Sequence, residues 1–231
     1  MMNKRHIVVF SGAGISAESG LKTFRGTDGL WEGEDISAVA TPEGWRRDPK
    51  RVLEFYNQRR KAVVAAQPNA AHVALKDLEE IFQVTIINQN IDDLHERAGS
   101  SHVIHLHGEI LKARSIVDPQ KLYPCHGDIT LGDRGECGTQ LRPHVVWFGE
   151  SVPLMDAAIA EAKKADFLIV VGTSLEVYPA ANLVDHVPFD IPKFLVDPNP
   201  SGLAGSDFHV IEQPASLGVP AVARQLRSLM A

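Results

Sequence analysis

Short runs of consecutive apolar residues recur along the chain, and segments with helical periodicity separate them. The apolar runs predict strands at residues 6–10, 84–88, 103–106, 167–171, 194–197 and 208–211. Most of these runs lack polar alternation, which is typical of parallel strands buried on both faces. Helical periodicity predicts helices at residues 70–82, 155–165, 180–186 and 220–229. The alternation of strands and helices predicts an α/β fold with a doubly wound parallel, Rossmann-like sheet.

Two stretches do not follow this alternation. Residues 31–67 contain a long separate helix, and residues 109–142 are rich in Gly, Asp and Pro, which predicts loops with little regular structure. A chain of 231 residues with 44% hydrophobic content suits one domain. We therefore expect a single domain over residues 1–231, with a Rossmann-like large lobe from about residues 1–30, 68–108 and 143–231. The two exceptional stretches are expected to form a smaller inserted lobe.

Composition and charge exclude several classes of protein. The net charge of −6 provides no basic surface for nucleic acid. After the first six residues, Met-Met-Asn-Lys-Arg-His, only four apolar residues precede Ser11, too few for a signal sequence or a membrane span. Two cysteines do not form a disulfide framework. We expect a soluble, cytoplasmic monomer without nucleic-acid or membrane partners.

The separate helix places an arginine among apolar side chains. Asp48 and Pro49 predict its start, as N-cap and first helical residue. At about 100° per residue, Arg59 falls within a stripe formed by Val52, Phe55, Tyr56 and Val63. A cation there needs a negative partner. From the helix alone, a structural ion pair and a pocket for a ligand carboxylate are equally open interpretations.

A glycine-rich turn follows the first predicted strand. Residues 12–17 match the G-x-G-x-x-G/A pattern of dinucleotide-binding loops, although a glycine turn can also be only a turn. The acidic residue expected about 20 positions later is replaced by the sequence Gly-Leu-Lys-Thr-Phe-Arg-Gly at residues 20–26. The loop therefore predicts a dinucleotide site that differs from that of an ordinary dehydrogenase.

Six motifs together resemble the sirtuins, which are NAD-dependent protein lysine deacylases. In order and spacing they are Gly12-Ala13-Gly14-Ile15-Ser16, Thr23-Phe24-Arg25, Gln89-Asn90-Ile91-Asp92, His107-Gly108, Phe148-Gly149-Glu150 and Gly172-Thr173-Ser174. The resemblance extends from Val8 to about Leu226. Tyr56 and Arg59 are similar to the Y-x-x-R of the branch that removes succinyl, malonyl and glutaryl groups. This resemblance would supply the negative partner for Arg59 and favours the ligand pocket.

The resemblance also implies a role for each motif around NAD. The loop around the pyrophosphate and nicotinamide ribose would include Gly12, Ala13, Gly14, Ile15, Ser16, Gly20, Thr23, Phe24, Arg25 and Trp31. The nicotinamide pocket would include Gln89, Asn90, Ile91 and Asp92. The adenosine half would contact Gly172, Thr173, Ser174, Ala215 and either Asp197 or Asn199. The acyl-lysine peptide would contact Tyr56, Arg59, Val146, Phe148, Gly149, Glu150, Glu176 and Val177, pairing as an added strand.

His107 is the implied general base, with Asn90 as the second catalytic residue. An unperturbed histidine pKa of about 6.5 suits proton removal at neutral pH. The family reaction uses no protein nucleophile and yields nicotinamide, free lysine and O-acyl-ADP-ribose. Without the neighbouring motifs, His102, His105 and His107 would instead predict a buried or metal-binding cluster, because alternation places the last two on one face of a strand.

The small lobe departs from the family pattern. Most sirtuins bind a structural zinc there through two C-x-x-C pairs, whereas this region has only Cys125 and Cys137. A tetrahedral site requires four ligands, so we expect no metal. The alternative is an improvised site formed by Cys125, His126 and Cys137 with an aspartate, either Asp128 or Asp133.

Two other functions are compatible with the same cofactor motifs. An NAD-dependent protein ADP-ribosyltransferase would share the cofactor site, but the combination of Tyr56, Arg59 and His107 favours a deacylase. A non-catalytic sensor of NAD or ADP-ribose would not require the intact His107 and Asn90. The expected activity is therefore removal of succinyl, malonyl and in some cases glutaryl groups, with weaker activity on acetyl groups.

Overall fold

A computed structural model describes residues 4–23, 30–31, 33–175, 177–200 and 207–229. Its strands are β1 (His6–Ser11), β2 (Leu30–Trp31), β3 (Glu34–Asp35), β4 (Gln83–Asn88), β5 (Val103–His105), β6 (Gly108–Ser115), β7 (Leu122–Pro124), β8 (Leu141–Val145), β9 (Phe167–Val171), β10 (Lys193–Val196) and β11 (Phe208–Ile211). Its α-helices are α1 (Ile36–Val39), α2 (Pro42–Arg47), α3 (Pro49–Ala65), α4 (Ala70–Leu78), α5 (Leu94–Arg97), α6 (Met155–Ala162) and α7 (Ala215–Ser228). Two 3-10 helices span Ala13–Ser19 and Ala180–His186. Among these elements, no helix combines the length and the apolar character needed to span a membrane.

The six predicted strands form one parallel sheet in the order β11-β10-β9-β1-β4-β5. Successive residues of β1 enter different cores: Ile7 and Val9 pack with α4 and α7, whereas Val8 and Phe10 pack with α6 and the second 3-10 helix. Both faces of the sheet are therefore covered, which explains the unbroken apolar runs. The predicted α/β fold with a Rossmann-like sheet is confirmed.

Helix boundaries differ from the predicted ones in three places. Helices α4 and α6 end at Leu78 and Ala162, earlier than the predicted ends at 82 and 165. Helix α7 begins at Ala215, and Pro220 lies inside it. Proline at this position removes only one helical hydrogen bond, that to the Ser216 carbonyl, so the preceding turn still forms.

Residues 116–121 and 125–140 belong to no named helix or strand, as expected of loops, but the rest of residues 109–142 forms strands that were not predicted. Strands β6, β7 and β8 form an antiparallel sheet with β6 in the centre. The pairing of β6 with β8 shifts register between Glu109 and Ala113. This irregularity, together with Pro124 and Pro143 inside strands, hides the period-two pattern by which a strand is recognised.

Helix α3 fixes the small lobe through polar contacts. The Asn57 amide donates from Nδ2 to the Ile129 carbonyl and accepts from the Ile129 N–H, both at 2.9 Å. Arg60 is 1% exposed and donates to the Ile110 carbonyl at 2.9 Å and to Asn57 Oδ1 at 2.7 Å. Leu53, Ala113 and Ile129 form an apolar cluster beside these bonds. We call Asn57, Arg60 and Ile129 the α3 anchor.

Candidate active site

A cleft of about 550 Å³ lies between the two lobes, at the carboxyl ends of the parallel strands. Ligands of open α/β sheets bind at this edge. One end of the cleft is lined by the loops after β1 and β9, and the other by α3 and the segment after β8. His107 and Asn90 border the same cleft. The fold therefore brings together residues from the motifs that are separated in sequence.

The glycine loop after β1 packs directly against the loop after β9. The Gly14 N–H donates to the Gly172 carbonyl at 2.8 Å. A Cβ atom on Gly14 would lie 2.6 Å from the Gly172 Cα atom, and one on Gly172 would lie 2.2 Å from the Ile15 nitrogen. These distances exclude a side chain at either position. The glycines thus allow the two loops to contact each other.

Beside this loop, Asn90, Ser16 and Asp92 form a polar wall. The Asn90 Nδ2 donates to the Gly12 carbonyl at 3.1 Å and to Ser16 Oγ at 3.2 Å. Ser16 Oγ in turn donates to Asp92 Oδ2 at 3.0 Å. Burial raises the pKa of Asp92, and the bonds from Leu94 and Ser16 partly oppose that effect. These contacts fix a carboxyl group and an amide in the position predicted for nicotinamide and its ribose.

His107 is oriented by a backbone carbonyl. Its Nδ1 lies 2.8 Å from the Gln89 oxygen, and a carbonyl only accepts, so Nδ1 carries the hydrogen of the neutral ring. The Nε2 atom then holds the lone pair that a base requires. Burial lowers the pKa of His107, and the bond to Gln89 partly offsets this. The side chain is therefore a neutral base at pH 7.

The predicted pairing of His105 and His107 on one strand face is not observed. Strand β5 ends at His105, and the chain turns before it reaches His107. The His105 Nε2 lies 2.5 Å from Glu96 Oε1, and His105 is absent from the cleft wall. The turn after the strand therefore separates the two histidines.

At the other end of the cleft, Tyr56 and Arg59 lie side by side on α3. Tyr56 is fully buried and accepts a 3.1 Å hydrogen bond from the Trp147 indole nitrogen. Burial raises the pKa of Tyr56 well above its usual value, whereas the Trp147 bond and the Arg59 charge act in the opposite direction. Arg59 is half-buried. This end of the cleft thus combines a protonated phenol with a permanent cation.

Glu150 borders the cleft, but its carboxylate is held by basic side chains. Arg142 donates to Oε1 at 2.7 Å, and the Trp147 N–H donates to Oε2 at 2.8 Å. Arg114 approaches the same carboxylate at 3.4 Å. The pKa of Glu150 is lowered: burial raises it, but the bond from Arg142 and the neighbouring charges outweigh burial. The carboxylate thus supports the segment after β8.

The predicted adenosine residues Gly172, Thr173, Ser174 and Ala215 border the cleft. Asp197 and Asn199 both border it as well. The buried Asp197 carboxylate accepts the Asn199 N–H at 2.8 Å, whereas the Asn199 side chain is exposed. One oxygen of Asp197 is thus bonded to the backbone, and both residues stay candidates for contact with a ribose.

Most other predicted contacts lie in the cleft wall, and a few do not. The wall includes Gly12, Ala13, Thr23, Gln89, Ile91, Val146, Phe148, Gly149 and Val177. The Ile15 side chain packs into the sheet core, and Gly20 ends the 3-10 helix with a positive φ; neither borders the cleft. Phe24, Arg25 and Glu176 lie outside the described residues, and only the backbone of Trp31 is described.

Several wall residues were not predicted from the sequence. Leu21 and Lys22 lie between the motifs at residues 12–16 and 23–25, so their place in the sequence could have predicted that they border the cleft. Ala40 offered none; it enters the wall because its carbonyl accepts the Phe148 N–H at 2.9 Å. Trp147 resembles an ordinary core residue in sequence, and it is indeed 3% exposed, yet it also borders the cleft.

The small lobe does not bring metal ligands together within the described residues. No group of three or more His, Cys, Asp or Glu side chains there could hold an ion. The Cys137 thiol instead lies 3.1 Å from both Ser115 Oγ and Thr139 Oγ1, and these bonds lower its pKa. Cys125 packs near Leu53 and Ile129. The donor set thus fits hydrogen bonding and apolar packing better than zinc.

Comparison with known proteins gives consistent matches. The Sir2 family profile matches residues 12–179. A Helicobacter pylori protein described as an NAD-dependent protein deacylase is 56% identical over 194 residues, covering 84% of this chain and 85% of the relative. A Bacteroides thetaiotaomicron protein with the same description is 48% identical over 222 residues, covering 93% and 95%. The structure of a Sir2 homologue bound to NAD has a TM-score of 0.88 at 37% identity, covering 99% of this chain and 91% of the other.

Proposed function

The chain belongs to the Sir2 family, and we propose that it is an NAD-dependent protein-lysine deacylase that prefers acyl groups ending in a carboxylate. Deacylation is supported by the relatives and by the placement of His107 and Asn90 in one cleft. The preference rests on one observation: Tyr56 and Arg59 border the same cleft as His107. Succinyl and malonyl groups are the proposed substrates, with glutaryl also accepted and acetyl weaker.

When bound, the family cofactor NAD would supply a ribose activated at its anomeric carbon, from which nicotinamide leaves as the acyl oxygen bonds there, and a ribose hydroxyl on which the acyl group ends. The residues of this chain bind and orient the reactants. Asn90, Ser16 and Asp92 hold the nicotinamide end, and the loops at Gly14 and Gly172 hold the phosphates and adenosine. The Nε2 lone pair of His107 takes a proton from a ribose hydroxyl, since Nδ1 is committed to Gln89.

The acyl-lysine enters beside the segment after β8. The N–H groups of Val146 and Phe148 already donate to the carbonyls of His107 and Ala40, both at 2.9 Å. A substrate strand would therefore pair mainly with carbonyl oxygens of this segment. Phe148, 43% exposed, would contact the apolar lysine stem.

The carboxylate at the tip of the acyl group would be bound by Arg59 and Tyr56. A guanidinium can donate two parallel hydrogen bonds to a carboxylate, and a phenol can add a third. Tyr56 borders the cleft without exposed surface, so a neighbouring side chain must move before an acyl group reaches its hydroxyl. The acetyl group has no charge and would gain nothing from Arg59.

A direct test uses one peptide sequence with acetyl-, malonyl-, succinyl- or glutaryl-lysine at the same position. Each peptide is incubated with the protein, with and without NAD, and products are identified by mass spectrometry. We expect NAD-dependent free lysine and O-acyl-ADP-ribose, formed fastest from the acidic acyl groups. Transfer of ADP-ribose to the peptide without loss of the acyl group would indicate an ADP-ribosyltransferase, and NAD binding without turnover would indicate a sensor.

A further inference from the structure

Trp147 connects the acyl end of the cleft to a buried ion pair. The Arg142 guanidinium lies 3.2 Å from the centre of the Trp147 ring. The centre of the Trp45 ring lies 5.7 Å from the centre of the Trp147 ring. Arg142, itself 4% exposed, also pairs with Glu150, which accepts the Trp147 N–H. The tryptophan is thus held by its ring and by its backbone.

The indole of Trp147 ends on the Tyr56 hydroxyl. Its Nε1–H donates to the phenol oxygen at 3.1 Å. An indole N–H can only donate, so the phenol oxygen must accept in this bond. A phenol hydrogen prefers to lie in the ring plane, on one side of the oxygen or the other. A donor that occupies one side directs the hydrogen to the other.

We propose that Trp147 is a positioning residue for acyl selectivity: its indole N–H orients the Tyr56 hydroxyl as a donor toward the carboxylate of the acyl group. The inference rests on the proposed function and extends it to a residue that acts on the acyl group through Tyr56. Without the indole donor, the phenol can rotate and turn a lone pair toward the carboxylate, which repels it. The raised pKa of Tyr56 is consistent with a hydroxyl that keeps its hydrogen at working pH.

The test is a double-mutant cycle with Trp147→Phe, Tyr56→Phe and the combined variant, assayed on succinyl-lysine and acetyl-lysine forms of one peptide. Phenylalanine keeps an aromatic surface for Arg142 but removes the donor. We expect Trp147→Phe to lower kcat/KM for the succinyl peptide about threefold to tenfold. Its effect on the acetyl peptide should stay within about twofold. Because both changes break the same bond, the combined variant should be about as active as Tyr56→Phe alone.

Two controls separate positioning from packing. Trp45→Phe removes an indole from the same aromatic cluster but not from the cleft wall, and it should leave the ratio of the two activities unchanged. Should Trp147→Phe fold poorly, 3-benzothienylalanine at position 147 exchanges only the indole N–H for sulfur. It should give the same selective loss at nearly constant shape.

The outcomes distinguish this inference from the proposed function. Three results would overturn the role of Trp147 and leave the wild-type preference for succinyl intact. They are equal losses of kcat/KM on both peptides, additive losses in the combined variant, and no loss with either replacement at position 147. A wild-type protein that shows no preference, and that is unaffected by Tyr56→Phe, would overturn the acyl preference and this inference together.

Discussion

Replacement of Arg59 by methionine should change which acyl group the enzyme prefers. Methionine keeps the length and apolar stem of the side chain but removes the cation beside Tyr56. A charge-assisted hydrogen bond contributes about 1.5–3 kcal/mol. Arg59 is half-buried, so water screens part of this and the lower end, about 1.5–2 kcal/mol, applies. At about 1.4 kcal/mol per decade, kcat/KM for succinyl-lysine should fall on the order of tenfold to thirtyfold.

The assay measures kcat/KM for succinyl-lysine and acetyl-lysine versions of one peptide, on wild type and Arg59→Met. Turnover of the acetyl peptide should be unchanged or improved, because the acetyl group gains nothing from the cation. In the variant, its binding also no longer removes water from the Arg59 guanidinium. Lys61→Met is the matched control: it removes a cation from the same helix, but one that is exposed and paired with Asp128. That variant should keep the wild-type ratio.

Loss of both activities to the same extent would refute the reasoning. It would mean that Arg59 stabilises the fold through an ion pair and does not recognise the acyl group. An equal change in ratio for Lys61→Met would also contradict it, because the selectivity would then follow overall charge and not a contact in the cleft.

Three further predictions concern the base, the metal and the α3 anchor. His107→Ala should abolish turnover, with NAD affinity measured by calorimetry largely retained; turnover equal to wild type would exclude His107 as the base. The acid limb of the wild-type kcat/KM profile should lie below the ordinary histidine pKa of 6.5, because burial lowers the pKa of His107; a limb above 6.5 would contradict that lowered pKa. Protein purified without added metal should contain no stoichiometric zinc by elemental analysis, since no three His, Cys, Asp or Glu side chains of the described residues lie close enough to hold an ion. About one zinc per chain, with unfolding when the metal is chelated, would show an improvised site. Asn57→Ala should lower the free energy of unfolding in urea by about 2–4 kcal/mol, because it removes both side-chain bonds to the Ile129 backbone and one of the bonds made by Arg60, whereas the exposed neighbour Gln58→Ala should change little.

Apolar runs were enough to predict the parallel sheet. Strand β1 is buried on both faces, so its composition alone indicated a central parallel strand. The small-lobe sheet was missed because β7 has only three residues and the pairing of β6 with β8 is interrupted by a register shift. Patterns of alternation fail wherever the chain leaves regular geometry, as it does between His105 and His107.

Helix α3 shows the same limit on a smaller scale. One apolar stripe was recognised, and it did bring Tyr56 and Arg59 to the cleft. The burial of Arg60 was not recognised, because its partners are backbone carbonyls of distant segments, including that of Ile110. The periodicity of apolar residues indicates which side of a helix is apolar. It does not indicate that a polar side is also buried, as the side with Arg60 is.

The adjacency of Arg59 and Arg60 restricts how this protein can evolve. One arginine faces the cleft and the next belongs to the α3 anchor. Deletion of a single residue upstream in the helix would rotate the following residues by about 100°, moving Arg60 into the position of Arg59 and Lys61 into that of Arg60. Such a change would place the structural arginine in the proposed acyl pocket and remove the bonds that hold the small lobe. New acyl selectivity is therefore accessible by point substitution at positions such as 56 and 59, and length changes in this helix should be absent from functional descendants.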